Sequence, residues 1–319
     1  MSISRRTLIK HLGAIMSIAP LMAVGLPVET LISSRKAVGN FSYIYGNQKL
    51  RSHFKPFLKN VFHLYPDDKL DALIGELVKT AQTDEEVYIG LQEQLPEITP
   101  FLADLRYALP ALNHQKRVMA SQTISLLGEK KIIDGYLEFG SVGRYQDGLE
   151  DILEFKGPAY YVAERKPTSS VADIIDRGQF SVGGEFMLLD NYSVDVSKKI
   201  ERNSLDLATV YIGFHHCPPE RRDELITSIR EVLKPGGCLV VRDHNAHNED
   251  MFRCVALAHD VFNMGTHEPW TYNAAEQRYF YSLAILNEIM ERNGFRGGEQ
   301  KLYQPGDPTL NALMLYRKV

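Results

Sequence analysis

The sequence predicts an α/β fold, in which a doubly wound, mostly parallel sheet follows an N-terminal helical segment. Residues 48–127 have a helical pattern of apolar positions, whereas after Gly128 short apolar runs alternate with helical patterns. Strands that alternate with helices form parallel sheets with both faces covered. We therefore expect a helical segment over 34–127 and an α/β domain over 128–319.

The helical segment carries signals for individual helices. Thr83 and Glu86 have the spacing of a capping box, which predicts a helix start. Thr99 followed by Pro100 predicts a further helix that runs through Leu112. One buried helix face is indicated by apolar residues at i, i+3, i+4, i+7 and i+8, namely Leu70, Leu73, Ile74, Leu77 and Val78.

Five strand candidates follow Gly128: Ile132–Phe139, Ala159–Ala163, Glu185–Leu189, Leu205–Ile212 and Cys238–Arg242. Helices are predicted over Pro219–Leu233 and Ala274–Asn293. Between them, Asn245–Asn273 is an aromatic-rich insertion, which predicts either a lid or a segment packed over the sheet edge. Ligands of such a sheet bind at the carboxyl ends of its strands.

The composition argues against two classes of site. The formal net charge of −4 disfavours a broad phosphate-binding surface, so no nucleic-acid partner is expected. The three cysteines, Cys217, Cys238 and Cys254, are odd in number and form no CxxC pair. We therefore expect neither a disulfide framework nor a structural zinc site, and interpret the cysteines as small buried residues.

Residues 1–33 are predicted to be a targeting segment. Arg5 and Arg6 stand before an uncharged apolar stretch from Leu12 to Pro27, and the arrangement resembles a twin-arginine export signal. The expected location is periplasmic or membrane-anchored, with membrane contact through this segment. It is cytoplasmic if the signal is not functional. A buried helix and a mitochondrial-type presequence are the alternatives.

A glycine-containing turn follows the first strand candidate and comprises Glu138, Gly140, Ser141 and Gly143. Glycine lets the backbone approach a ligand closely, and the N-terminus of the next helix offers free N–H groups. This pattern predicts a ligand-binding loop.

Polar residues also end the next two strand candidates. Glu164 ends the second, where a carboxylate can accept both hydroxyls of a ribose. Asp190 and Asn191 end the third, with polar groups suited to an adenine edge. These positions predict a nucleotide-like ligand along the sheet edge.

With the later Val-Leu-Lys-Pro-Gly-Gly run at 232–237, these segments resemble class I S-adenosylmethionine-dependent methyltransferases over about 131–319. The branch that includes quinone-ring methylases is the nearest likeness. The resemblance implies a Rossmann-like, seven-stranded sheet with an antiparallel last strand, S-adenosylmethionine as the cofactor, and a small-molecule methyl acceptor. It implies cofactor contacts from Glu138, Gly140, Ser141, Gly143, Glu164, Asp190 and Asn191. The glycine motif is one residue shorter than in the family, so a tighter loop is expected.

Histidines follow the fourth and fifth strand candidates. His215 and His216 follow the fourth and His244 follows the fifth, so these three are the candidate catalytic residues. A structural, hydrogen-bonded role is the alternative for each. The same loops supply a candidate metal-ligand set, but its members come from two segments and no metal is expected: His215, His216, Asp243, His244 and His247.

The sequence leaves three candidate functions. A methyltransferase acting on a small or medium-sized acceptor is the leading hypothesis. A catalytically inactive, methyltransferase-like binding module is the alternative. A dinucleotide-dependent oxidoreductase is disfavoured because no Gly-x-Gly-x-x-Gly occurs in the sequence.

Overall fold

A computed structural model describes residues 39–99, 109–168 and 183–319, with the backbone alone at 109–112. The predicted targeting segment at 1–33 lies outside these ranges, as does most of the helix predicted from Thr99 and Pro100. No helix within the three ranges is long and apolar enough to cross a membrane.

The α-helices of the described ranges are α1 (Asn40–Tyr45), α2 (Gln48–Phe57), α3 (Asp67–Thr80), α4 (Asp84–Ile98), α5 (Leu109–Leu127), α6 (Gln146–Glu150), α7 (Pro219–Val232), α8 (Glu249–Gly265), α9 (Trp270–Ala275) and α10 (Leu283–Arg292). The strands are β1 (Ile132–Phe139), β2 (Glu154–Ala163), β3 (Glu185–Leu188), β4 (Leu205–Val210), β5 (Leu233–His244), β6 (Phe295–Tyr303) and β7 (Asn311–Lys318). All five strand candidates are thus strands; the bounds of β1 are as predicted, whereas each of the other four differs at one end or both.

The described strands form one seven-stranded sheet in the order β3-β2-β1-β4-β5-β7-β6. Strands β1 to β5 pair in parallel, and β7 is antiparallel to both β5 and β6. The sheet is therefore mixed, and the predicted seven strands with an antiparallel last strand are confirmed. The strand order changes direction between β1 and β4. The loops after these two strands therefore flank a crevice at the carboxyl ends of the strands.

Helices cover both faces of the sheet. Apolar residues of α7 and α10, such as Ile229 and Leu286, pack against one face. Residues of α5 and α6, such as Met119 and Leu149, pack against the other. Helix α5 thus belongs to the sheet core although it precedes the predicted boundary at residue 127, and that boundary stays a prediction. The three cysteines are free and buried, as expected.

The N-terminal helices α1 to α4 pack on α8 rather than on the sheet. Leu70 and Ile74 of α3 are fully buried in this second core, which confirms the predicted helix face. The Thr83 hydroxyl accepts a hydrogen bond from the Glu86 N–H at 3.2 Å, so the predicted helix cap is also present. The Tyr88 hydroxyl reaches beyond the end of α8 and donates to the carbonyl of Glu268 at 2.8 Å.

One prediction for the segment after β5 needs correction. The single helix predicted over Ala274–Asn293 is two helices, α9 and α10, because residues 276–282 are not helical. Arg278 lies in this break and forms an ion pair with the buried Asp260 of α8 at 2.7 Å. The Asn245–Asn273 insertion contains α8, whose apolar face is buried under helices α1 to α4. The lid and the packing over the sheet edge both stay predictions.

We expect Ile74→Ala to lower the free energy of unfolding by about 2–5 kcal/mol, because it opens a cavity in the second core. Chemical denaturation measures this loss. Ile89→Ala, in the adjacent helix α4 at a residue that is 41% exposed, is the matched control and should change stability by less than about 1 kcal/mol. Equal losses in the two variants would contradict the packing of α3 described above.

Candidate functional site

Two cavities adjoin each other at the carboxyl ends of the strands. The glycine-loop cavity, of about 340 Å³, is lined by residues that include Gly140, Ser141 and Glu164. The histidine cavity, of about 330 Å³, is lined by residues that include His215 and His244. Four residues line both cavities and mark their junction: Arg144, Ile212, Gly213 and His216.

The backbone after β1 requires glycine at position 140. Gly140 has a φ of +82°, and a Cβ atom there would lie 2.4 Å from the carbonyl oxygen of Ile212. The close approach of these two loops forms one end of the glycine-loop cavity. Gly143 also has a left-handed φ, of +72°, but is not among the lining residues of this cavity.

Glu138 supports the glycine loop from beneath. Its carboxylate is fully buried and accepts hydrogen bonds from the hydroxyls of Tyr136 and Ser141 and from the N–H of Gln146, at 3.1 Å. Burial raises the pKa of this carboxyl. The N–H groups at the start of α6 were expected to be free for a ligand. This expectation is wrong for Gln146, because Glu138 accepts its hydrogen bond.

The other predicted cofactor residues occupy different positions around the glycine-loop cavity. Glu164 lies at its wall, just beyond the end of β2. Asp190 and Asn191 both have a φ of +48° and lie outside the lining residues. The Asp190 carboxylate instead accepts a hydrogen bond from the Ser193 hydroxyl at 2.6 Å. The cofactor roles of these residues stay predictions.

The structure brings the three candidate catalytic histidines together. The ring centroid of His215 lies 4.4 Å from that of His216 and 5.5 Å from that of His244. A fourth histidine, His259 of α8, lies 4.9 Å from His215. His247 is exposed and its ring contacts the carbonyl of Asn245 in its own loop.

Hydrogen-bond partners hold two of these rings in place. Nδ1 of His215 lies 2.8 Å from the Asp243 carboxylate, which also accepts a hydrogen bond from the Tyr281 hydroxyl at 2.6 Å. Nδ1 of His216 lies 2.7 Å from the carbonyl oxygen of Gln277. Since both partners are acceptors, each Nδ1 carries a proton, and the Nε2 of a neutral ring then keeps its lone pair.

The rings of His216, His244 and His259 are electrically neutral at neutral pH. Burial lowers the pKa of His216 to about 4 and that of His244 to about 3, and the nearby His215 lowers both further. Burial also lowers the pKa of His259 well below its usual value. Such rings are weak bases at neutral pH, so they are better suited to contact or coordination than to proton abstraction.

Polar residues line another part of the histidine cavity. Buried polar atoms of Arg242, Asp307 and Asn311 have no hydrogen-bond partner among the described residues. Unsatisfied buried polar groups are rare, and several in one cavity indicate a polar ligand. Sequence reasoning missed this wall and His259, because tertiary contacts alone bring these residues to the cavity.

No protein-family model and no curated protein sequence matches the chain. It is similar to a SAM-dependent methyltransferase from Aquifex aeolicus, with 14% identity over 72% of this chain and 98% of that one, and a TM-score of 0.41. It is also similar to the 1,6-didemethyltoxoflavin-N1-methyltransferase of Burkholderia thailandensis, with 14% identity over 75% of this chain and 92% of that one, and a TM-score of 0.42. A SAM-dependent methyltransferase from Methanosarcina mazei has 17% identity, coverage of 62% and 96%, and a TM-score of 0.42. The fold of this chain is established by its own strand order and strand directions, and not by these similarities.

We expect Gly140→Ala to destabilise the protein by more than about 1 kcal/mol, because alanine disfavours the left-handed region and its Cβ meets Ile212. Thermal and chemical unfolding measure the loss. Gly148→Ala, in α6, is the control, since its Cβ would lie 3.4 Å from the nearest atom and alanine favours a helix. A Gly140→Ala protein as stable as the parent would show that the turn has another backbone conformation.

Proposed function

We propose that the chain transfers the methyl group of S-adenosylmethionine to a small polar acceptor. The observation that carries the proposal is the pair of adjoining cavities at the carboxyl ends of the strands. The glycine-loop cavity would hold the cofactor, with Glu164 at the ribose. The histidine cavity would hold the acceptor. The strand order, with its antiparallel β7, agrees with the architecture implied by the sequence resemblance.

The junction of the cavities suits an in-line displacement. The acceptor atom would supply an electron pair to the methyl carbon, while the pair of the breaking C–S bond stays on sulfur and leaves S-adenosylhomocysteine. Holding the two reactants in line contributes much of the rate in such a transfer. The residues at the junction include Gly213, whose lack of a side chain leaves room for close approach, and His216.

The lining of the histidine cavity indicates the kind of acceptor. Phe57, Phe62 and Phe262 give it an apolar part, and Arg242 and Asp307 contribute unsatisfied polar atoms. A cavity of this size and mixed lining suits a small molecule. The likeness to quinone-ring methylases makes hydroxylated aromatic rings the first acceptors to test.

Glu164→Ala should weaken S-adenosylmethionine binding about 10- to 150-fold, because a hydrogen bond to a charged group contributes about 1.5–3 kcal/mol. Titration calorimetry measures the affinity. Glu154→Ala is the matched control: Glu154 is at the opposite end of β2, where it pairs with Lys156, and its loss should leave affinity unchanged. If the parent protein does not bind S-adenosylmethionine, the proposed function fails. If the two variants bind equally, only the role of Glu164 fails.

His244→Ala should lower methyl transfer about 10²-fold with little effect on cofactor affinity, because misplacing the acceptor by about 1 Å costs this much. The assay is release of S-adenosylhomocysteine with the best acceptor from a panel of phenols, thiols and amines. His247→Ala replaces an exposed histidine of the same loop and should keep parental turnover. A His244→Ala protein with parental turnover would exclude His244 from the acceptor site.

A further inference from the structure

We propose that His215, His216 and His259 bind a divalent transition-metal ion of the Zn²⁺ type in the wall of the histidine cavity. One ring nitrogen from each of the three lies within 4.8 Å of the other two. Metal coordination was not expected from the sequence, where His259 lies in the middle of a predicted insertion. Three imidazoles with an open fourth position are a common ligand set for catalytic zinc.

Hydrogen bonds at Nδ1 leave the Nε2 atom available for a metal on two of the rings. The carboxylate of Asp243 accepts the Nδ1 proton of His215, and the carbonyl of Gln277 accepts that of His216. Metal-bound histidines typically donate their other ring N–H to a carboxylate or carbonyl in this way. Both Nε2 atoms therefore carry a lone pair that is free for a metal.

The free lone pairs are otherwise unsatisfied. Nε2 of His215 is buried and has no hydrogen-bond partner in the described part of the chain. Nε2 of His216 lies 3.9 Å from a carboxylate oxygen of Glu276, so two acceptors face each other. A cation near these atoms would satisfy the lone pairs of both groups.

The ring geometry needs only a small adjustment. In tetrahedral coordination with Zn–N bonds of about 2.0–2.1 Å, the nitrogens lie about 3.3 Å apart. The rings of His215 and His259 meet at 87°, and those of His216 and His259 at 70°, so they are not stacked in parallel. Modest side-chain rotations would bring the three nitrogens to the required spacing.

The position of this cluster gives the metal a chemical role. His216 lies at the junction of the two cavities, and His215 and His259 line the histidine cavity. The open metal position would take a hydroxyl or thiol of the acceptor, and the ion would lower the pKa of that group so that it binds as an anion. This role rests on the proposed methyl transfer, whereas metal binding itself does not.

The test uses the tag-free chain, treated with a chelator and titrated with Co²⁺ and Zn²⁺ in the absence of S-adenosylmethionine. We expect one ion per chain and the visible absorption of four-coordinate Co²⁺. Addition of 2-mercaptoethanol or phenol as a probe of the open position should change that spectrum. His259→Ala should weaken metal binding at least 100-fold, whereas His247→Ala, at the exposed histidine after β5, should bind like the parent.

Each outcome decides the proposal separately from the methyl-transfer function, which S-adenosylmethionine calorimetry tests on the same samples. Absence of metal binding by the folded parent would overturn the site, as would parental affinity in His259→Ala. Loss of binding in His247→Ala would overturn the ligand set. If His259→Ala loses its cooperative melting transition, His216→Asn, at a less buried ligand, is measured in its place against the same criteria.

Discussion

The buried carboxylate of Asp243 joins the segments that form the histidine cavity. It accepts hydrogen bonds from the ring of His215, the hydroxyl of Tyr281 and the backbone N–H of His244. Burial opposes its ionisation, but His215 offsets this effect and lowers the pKa of the carboxyl to about 2. A buried charge is stable only with such partners, so the ends of β4 and β5 and the segment before α10 are held in one arrangement.

A second buried network connects the N-terminal helices to the same site. Asp260 of α8 pairs with Arg278 and accepts a hydrogen bond from Asn40 of α1. Arg278 adjoins Gln277, whose carbonyl orients His216, and Tyr279, whose N–H donates to the carbonyl of His215 at 2.8 Å. The packing of helices α1 to α4 on α8 therefore also helps to place His259 beside the other histidines.

The sequence predicted most accurately those features that depend on local pattern. Strand β1 is an apolar run that ends at a glycine turn, and its predicted bounds, Ile132–Phe139, are those observed. The convergence of His215, His216 and His244 followed from the rule that parallel strands end at one edge. The break before α10 was not predictable, because it depends on the long-range pairing of Arg278 with Asp260. His259 was missed for the same reason: its spacing within α8 is ordinary, and its neighbours are distant in sequence.

The central claim is that the two adjoining cavities hold a methyl donor and its acceptor. A crystal structure of the purified chain with S-adenosylhomocysteine tests it most directly. We predict that the ribose lies at Glu164 and the sulfur at the junction beside Gly213 and His216, pointing toward the histidine cavity. A ligand bound elsewhere, or a chain that binds none at saturating concentration, would contradict it.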